Sequence, residues 1–197
     1  MIEFSKHLKL ELKAARFITS LVGFRRDDSR FHINHLEVNQ DGSAVATDGC
    51  RLYHLSNFTV RGQVLAPGFY RVLKNTKSKV WIERVPDGEV CGSFPDYGDI
   101  LSMEERKGSR GKVVLDMDLS YDGQYEGFAR FIRACPGKNY FNYNFFDEVC
   151  EKFDHTGTVT ILIDIRREDD HQIQDPAIFK MEEEGVIFQA VIMPMRG

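Results

Sequence analysis

The chain has 197 residues, which suits one large domain or two small ones. Its hydrophobic share of 42% is ordinary for a globular protein. The formal net charge of −4 excludes a surface that is positive throughout, but nucleic-acid binding depends on where the cations lie. No stretch is long and apolar enough to span a membrane, and the first residues lack the apolar core of a signal peptide. We therefore expect a cytosolic (cytoplasmic) protein.

The four cysteines are spread along the chain without a CxxC pair. They are Cys50, Cys91, Cys135 and Cys150. This spacing argues against a zinc site, and a disulfide framework is not expected without a secretory signal. We expect buried, inert thiols.

A helix with one cationic stripe is predicted near the start of the chain, with Ser5 as its cap and its end near Val22. At about 100° per residue, apolar side chains occupy most of its circumference. Four cations share a stripe about 80° wide, namely Lys6, Lys9, Lys13 and Arg16. Solvated helix faces more often mix charges of both signs, so this stripe is a candidate anion contact. A solvated face is the equal alternative.

Strands and turns are predicted for the rest of the first half. FHINHLEV alternates, QDGS is a turn, and AVATDGCRLYHL returns as a second strand. The segment QVLAPGFYRVLKNTKSKVWIERVP is ambiguous, because it fits either a short helix from Pro67 or a strand pair around KNTKS. A turn is expected at the PDG of 86–88. The charged residues 102–111 lack apolar periodicity and predict a linker.

The second half predicts two helices among antiparallel strands. In chain order the pattern reads strand KVVLDMDLS, helix EGFARFIRAC, a break at Pro136, short strand YFNYN and helix FFDEVCEKF. Three strands follow, TVTILIDI, PAIFKMEE and VIFQAVIMPM, with RREDDHQIQD as a polar loop after the first. Each half therefore predicts an α+β domain, one at 1–101 and one at 112–197.

Three short segments resemble signatures of one protein family. ATDGCRL spans Ala46 to Leu52, Phe-Pro-Asp-Tyr occupies 94–97, and the sequence ends Val-Ile-Met-Pro-Met-Arg-Gly. In the same order, they resemble the ATDGHRL hairpin, the GRFPDY segment and the VMPMRL terminus of the bacterial DNA polymerase III β subunit, the β sliding clamp. Residues 31–101 and 139–197 carry the resemblance.

The resemblance implies a ring. Clamps have six similar domains, with antiparallel sheets outside and helices on the inner face, and the bacterial protein supplies three domains per chain. This chain resembles only the second and third of them, as a middle-type domain at 1–101 and a shortened C-terminal-type domain at 112–197. The implied fold is α+β with two clamp-like domains, and six domains would need a homotrimer.

The resemblance also implies partners. They are duplex DNA bound without sequence preference, a DNA polymerase, and an ATP-driven clamp loader, the two proteins docking through short apolar peptides. Phosphate contacts suit a sliding ring because they carry no sequence information. The candidate DNA-binding residues are Lys6, Lys9, Lys13, Arg16, Arg130 and Arg133. The implied peptide groove is lined by Ile33, Thr47, Gly49, Arg51, Leu52, Pro95, Asn142, Phe145, Val191, Ile192, Met193, Pro194, Met195 and Arg196.

Several departures from the family pattern keep other interpretations open. Cys50 stands where the family often has histidine, Gly98 and Asp99 replace a basic pair, and Gly197 replaces a terminal leucine. Without the family, Leu52 would be an ordinary core residue, as would Ile33 and Val191. The shortened second domain favours an alternative function, a clamp-like adaptor that binds peptides without encircling DNA.

An enzyme is the least favoured interpretation. An acid–histidine cluster is present at Glu168, Asp169, Asp170, His171 and Asp175, and a small metal-dependent hydrolase would have to use it. A solvated loop explains the cluster better, because no second ligand set has matching spacing. His32 and His35 would face opposite sides of a strand, and no P-loop, GxGxxG or GxSxG occurs. We therefore expect a protein without catalysis, metal or cofactor.

Overall fold

The chain forms two compact α+β units in a computed structural model, which describes residues 1–22, 34–89, 97–101, 111–118, 124–135, 141–153, 158–165 and 176–194. The first unit comprises Met1–Pro95 with Glu182–Phe188, and the second comprises Asp96–Met181 with Gln189–Gly197. The predicted α+β class is confirmed. The assignment of clamp domains to 1–101 and 112–197 stays a prediction. Of the predicted linker at 102–111, residues 102–110 lie outside the described residues, and Gly111 begins a strand.

One antiparallel sheet organises the first unit. Its elements in chain order are β1 (Ile2–Ser5), α1 (Lys9–Thr19), β2 (Leu36–Val38), β3 (Ala44–Thr47), β4 (Arg51–Leu55), β5 (Thr59–Val60), β6 (Gln63–Val64), β7 (Gly68–Asn75) and β8 (Lys79–Arg84). The strand order within this unit is β1-β8-β7-β2-β3-β4, and β5 pairs only with β6. The segment for which helix and strand pair were both open is therefore the strand pair β7–β8.

Helix α1 covers one face of this sheet. It contacts β1, β3, β4, β7 and β8. Phe17 stacks on Tyr53 with ring centroids 4.5 Å apart and meets the edge of Phe188 at 5.4 Å. All three rings are buried, and each contributes roughly 1.5–3 kcal/mol through burial. Lys9 of α1 is exposed, on the side of the helix away from these rings.

The predicted start of this helix is wrong. Ile2–Ser5 pairs antiparallel with β8, with Phe4 opposite Val80, and Phe4 is fully buried. The helix begins at Lys9 after a cap residue, Leu8, whose side chain makes no capping bond. Burial of Phe4 in the sheet outweighs the local capping tendency of Ser5, since a buried aromatic ring contributes more than a cap. Lys6 therefore lies in the turn before α1.

Two tight turns appear where the sequence predicts turn residues. At QDGS, the Asp41 carboxylate accepts hydrogen bonds from the Ser43 N–H and hydroxyl. At the PDG of 86–88, Gly88 has a φ of +92°. The prediction of AVATDGCRLYHL as one strand is wrong, because it forms the hairpin β3–β4 with its turn at 48–50.

The second unit combines helices with antiparallel strands. In chain order the elements are α2 (Gly98–Leu101), β9 (Gly111–Asp118), α3 (Gln124–Ala134), α4 (Tyr143–Lys152), β10 (Thr158–Ile165), β11 (Ala177–Glu183) and β12 (Val186–Ile192). β10 pairs antiparallel with β9 and with β11. The predicted strand at YFNYN is wrong, because Asn142 caps α4 by accepting a hydrogen bond from the Asn144 N–H at 2.9 Å. Within the described residues the other predicted strands and helices of this half are confirmed, except that the strand of VIFQAVIMPM already ends at Ile192.

An aromatic cluster forms the core of the second unit. Phe131 of α3 lies 5.0 Å from Phe141, 5.4 Å from Phe146 and 5.7 Å from Phe179, measured between ring centroids. Phe131, Phe146 and Phe179 have no exposed surface. These rings join α3, α4 and β11, so both helices are fixed to the sheet by the same contacts.

The β11–β12 hairpin belongs partly to each unit. Its turn, Glu184–Gly185, has positive φ at both residues, as the tight hairpin turn requires. In the first unit, the Ser56 N–H donates to the Ile187 carbonyl at 3.0 Å, and the Ile187 N–H donates to the Ser56 hydroxyl at 2.9 Å. Strand β12 thus starts in the first unit and ends in the second. Across the described ranges, no helix combines the length and apolar character that a membrane crossing needs.

Candidate functional site

The turn of the β3–β4 hairpin is built around Asp48. One oxygen of its carboxylate accepts from the Cys50 N–H at 2.9 Å and the Arg51 N–H at 2.7 Å. The other accepts from the Arg51 guanidinium, from Nε at 3.0 Å and Nη2 at 2.7 Å. Gly49 has a φ of +87°, which favours glycine. The Asp48 side chain therefore accepts four hydrogen bonds within this turn.

The hairpin uses most of its polar groups internally. The Thr47 hydroxyl donates to the Arg51 carbonyl at 2.6 Å and accepts from the Gly49 N–H at 3.1 Å. Thr47 and Leu52 are buried, whereas Gly49 is exposed. The Arg51 guanidinium, one of the predicted groove residues, already has a partner in the Asp48 carboxylate. This half of the predicted groove is a preformed turn with Gly49 at its surface.

The second unit carries another part of the predicted groove, at the end of β12. Val191 and Ile192 have no exposed surface, so both belong to the core of this unit. Met193 is 36% exposed and Pro194 is half-buried. Among these four residues, Met193 offers the largest accessible apolar side chain to a ligand.

Helix α4 holds the two remaining described groove residues. Asn142 spends its side-chain oxygen on the helix cap, and Phe145 on the first turn is half-buried. Farther along the helix, burial and, to a smaller extent, the nearby Asp147 carboxylate together raise the pKa of the Cys150 thiol to about 12. Cys150 is therefore a protonated core thiol at neutral pH.

Four predicted groove residues lie outside the described residues, namely Ile33, Pro95, Met195 and Arg196. The acid–histidine cluster at 168–175, Cys91 and His32 lie outside them as well. The described groove residues divide between the two units, as Thr47–Leu52 in one and Asn142, Phe145 and Val191–Pro194 in the other. The groove as a whole stays a prediction.

The cationic stripe of α1 is only partly accessible. Lys9 is exposed and Arg16 is half-buried. Lys13 is 19% exposed, and its ammonium lies 2.6 Å from Oε2 of Glu183 and 5.8 Å from the centroid of the Phe188 ring. Lys13 therefore differs from the exposed Lys9, because its ammonium is already paired with a carboxylate.

A second pair of cations lies on α3. Arg130 and Arg133 are three residues apart, hence neighbours on one helix face, and both are exposed. Phe131 is fully buried, which fixes the opposite side of the helix against the core. Each unit thus has a helix with cations on its outward side.

The prediction that the cysteines are buried is wrong for Cys50. Cys50 is exposed in the β3–β4 turn, because the hairpin places it between the two strands. Cys135 is half-buried, and burial raises the pKa of its thiol to about 12. Within the described ranges, histidine, cysteine and carboxylate side chains form no cluster suited to a metal ion.

Sequence reasoning missed two residues that shape the candidate site. Asp48 is not among the predicted groove residues, although the arginine three residues later is a local signal for the ion pair. Glu183 was not considered, because 170 residues separate it from Lys13 and no local pattern links them.

Comparison with known proteins gives a result only at the level of structure. No family model matches the sequence, and a search of curated proteins finds no match. Among solved structures, the DNA polymerase III β subunit of Thermotoga maritima superposes with a TM-score of 0.55 at 15% identity, over 100% of this chain and 65% of that chain. The β subunit from DNA polymerase of Streptococcus pyogenes gives 0.55 at 12% identity, over 100% and 66%.

The DNA polymerase sliding clamp of Caulobacter crescentus gives a TM-score of 0.52 at 16% identity, over 100% of this chain and 65% of that one. The chain has the β sliding clamp fold. It spans about two thirds of the length of the clamps it resembles. This finding confirms the fold implied by the three sequence signatures, and it places the outward cations of α1 and α3 on clamp-type units.

Proposed function

We propose that the chain is a sliding clamp that encircles duplex DNA and tethers a DNA polymerase, without catalysis of its own. The observation that carries the proposal is the placement of cations on a clamp fold. Lys9 and Arg16 of α1, and Arg130 and Arg133 of α3, lie on helix sides turned away from the buried core. Such a protein would work in the cytoplasm with the DNA and would need a separate ATP-driven loader.

Phosphate contacts supply what a sliding protein needs. They attract any duplex equally, and their strength falls with salt because counterions are released on binding. Each neutralised phosphate contributes about −0.9 to the slope of log K against log salt concentration. Lys6 in the turn before α1 adds a further exposed cation, and the partnered Lys13 is considered separately below.

The DNA contact is tested with a double variant, Lys9→Gln with Arg16→Gln. Binding to a short fluorescent duplex is measured by anisotropy between about 50 and 200 mM salt. We expect weaker binding and a slope that is shallower by about 1.8, because two phosphate contacts are lost. The control is Lys74→Gln with Lys77→Gln, which removes the same charge from exposed positions of the β7–β8 pair. Equal slopes for the two double variants would reject the DNA-binding face.

The peptide groove is the second part of the proposal. We infer that the β3–β4 turn and the end of β12 together receive a short apolar peptide from a polymerase or a loader. The exposed Met193 supports this inference, because methionine adapts to varied apolar ligands. The preformed turn around Asp48 supports it too, because a rigid turn loses little entropy when a peptide docks.

Peptide binding is tested with Met193→Glu combined with Met195→Glu. We expect loss of binding to a fluorescent peptide from the clamp-binding tail of a bacterial replicative polymerase, with an unchanged circular dichroism spectrum. Val191→Glu is the contrasting variant, because a charge at a fully buried position should unfold the second unit. Normal peptide affinity in the double methionine variant would show that the groove is elsewhere.

Ring formation is the third part of the proposal. β1 is the outermost strand of the first unit's sheet in the described residues, and β9 is the outermost strand of the second. An outer strand keeps unpaired backbone groups that another chain can pair with. Head-to-tail pairing of β1 in one copy with β9 in the next would close into a ring if the rotation allows. Three copies would supply six clamp-type units.

A further inference from the structure

The centre of the α1 stripe is occupied by a carboxylate from a distant part of the chain. Along α1, Lys13 follows Lys9 by one helical turn and precedes Arg16 by about one turn. Its Nζ lies 2.6 Å from Oε2 of Glu183, a residue 170 positions later. The side chains of Lys13 and Glu183 are 19% and 40% exposed. The pair is therefore partly withdrawn from solvent, and salt screens it less than a surface pair.

The position of Glu183 is fixed by its hairpin. Glu183 ends β11, and the chain returns through the tight turn at Glu184–Gly185. Two residues after that turn, Ile187 exchanges two hydrogen bonds with Ser56. The next residue, Phe188, is fully buried against Phe17 of α1. These contacts hold the carboxylate beside the helix, so its effective concentration at Lys13 is high.

A phosphate and the Glu183 carboxylate would use the same donors. Both accept hydrogen bonds from the Lys13 ammonium, and a charge-assisted bond of this length is among the stronger ones. Because an ammonium has three N–H donors, the main obstacle to an approaching phosphate is the negative charge of this carboxylate beside Lys13. Lys9 is exposed, and in the part of the chain that the structure describes no carboxylate forms an ion pair with it.

We propose that Glu183 withholds Lys13 from DNA and so sets how many cations of α1 contact phosphate. The inference rests on the proposed DNA contact, and it revises the role predicted for Lys13. In the wild-type protein, Lys9 and Arg16 contact phosphate, while Lys13 is a positioning residue that holds the β11–β12 hairpin against α1. Glu183 is then a determinant of DNA affinity that does not touch DNA.

The test compares Glu183→Gln, Lys13→Gln and their combination with the wild-type protein, by anisotropy on a short duplex. Glu182→Gln is the matched control, because Glu182 is the exposed neighbour and its change removes the same charge. We expect Glu183→Gln to bind DNA more tightly at low salt, with a slope of log K against log salt concentration that is steeper by about 0.9. Across a fourfold rise in salt, this variant should lose about three times more affinity than the wild-type protein. Lys13→Gln alone and the double variant should keep the wild-type slope.

A purely structural ion pair would give another pattern. Glu183→Gln and Lys13→Gln would then lower the melting temperature, with Glu183→Gln giving the same salt slope as Glu182→Gln. That outcome overturns the inference, as does a shallower slope in Lys13→Gln alone, which would mean that Lys13 contacts phosphate in the wild-type protein. If the Lys9 and Arg16 double variant also binds normally, the proposed DNA contact itself is wrong. If that double variant binds weakly, the proposed DNA contact stands and only the role proposed for Glu183 is wrong.

Discussion

Replacing Asp48 by alanine should destabilise the first unit and disable the β3–β4 turn. The change removes two hydrogen bonds from backbone N–H groups, those of Cys50 and Arg51, and two from the Arg51 guanidinium. A neutral hydrogen bond contributes about 0.5–1.5 kcal/mol net, and one to a charged group about 1.5–3 kcal/mol. Asp48 is 28% exposed and Arg51 is 13% exposed, so solvent recovers part of this loss.

The net cost of Asp48→Ala should be about 2–3 kcal/mol of unfolding free energy, a large part of a typical total of about 5–15 kcal/mol. Urea unfolding measures it, with the fluorescence of Trp81 as a probe of the first unit, since the sequence has a single tryptophan. The midpoint should fall by about 1 M urea, given the slope usual for a small domain. The affinity for the polymerase tail peptide should fall as well, because Gly49 is no longer held in its turn conformation.

The matched control is Asp41→Ala in the neighbouring turn. The Asp41 carboxylate accepts from the Ser43 hydroxyl at 2.7 Å and the Ser43 N–H at 2.9 Å, and these bonds lower the pKa of Asp41. This variant should cost about 1 kcal/mol and leave peptide binding unchanged. The reasoning is refuted if Asp48→Ala costs less than about 0.5 kcal/mol, or if both variants weaken peptide binding equally.

Three further variants or reagents test the packing and the thiols. Gly42→Ala should cost about 1–2 kcal/mol of unfolding free energy, because Gly42 has a φ of +82° and a Cβ there would lie 2.7 Å from Cγ1 of Val64. In urea unfolding, adding Val64→Ala should restore part of the lost stability. No recovery of stability would contradict the clash. Phe131→Ala should cost about 3–5 kcal/mol in the second unit, and a melting temperature within a degree of wild type would contradict the aromatic core. Iodoacetamide at pH 8 should label the exposed Cys50 before Cys150. At that pH, a thiol with a pKa of about 12, such as Cys150, has about one ten-thousandth of its population as the reactive thiolate. Equal labelling of Cys50 and Cys150 in a peptide map would contradict the burial of Cys150.

Much of the fold was predictable because its strands and helices have strong local patterns. The apolar run TVTILIDI forms β10, and the apolar spacing around Phe128 and Phe131 forms α3. The turns at QDGS and PDG were predicted correctly, because aspartate and glycine tolerate the backbone angles that these turns require. The three family signatures predicted the fold class that the structural comparison confirms.

The failures have a common physical origin in contacts between distant residues. Ile2–Ser5 forms a strand because β8 pairs with it, and no residue near it in the sequence indicates that pairing. Around Asn142, the aromatic residues of YFNYN favour a strand locally, but the asparagine cap and the buried Phe146 favour the helix. The pairing of Lys13 with Glu183 was not predicted for the same reason, because the β11–β12 hairpin brings the Glu183 carboxylate beside Lys13 from 170 residues away.

The mass of the protein in solution distinguishes a ring of three chains that encircles DNA from a single chain. Size-exclusion chromatography with light scattering at low micromolar concentration gives that mass independently of shape. A ring of three chains predicts about 68 kDa, three times the 22.7 kDa of one chain. A single species at 22.7 kDa, unchanged by raising the concentration or adding circular duplex DNA, would contradict the ring and favour a peptide-binding adaptor with the clamp fold.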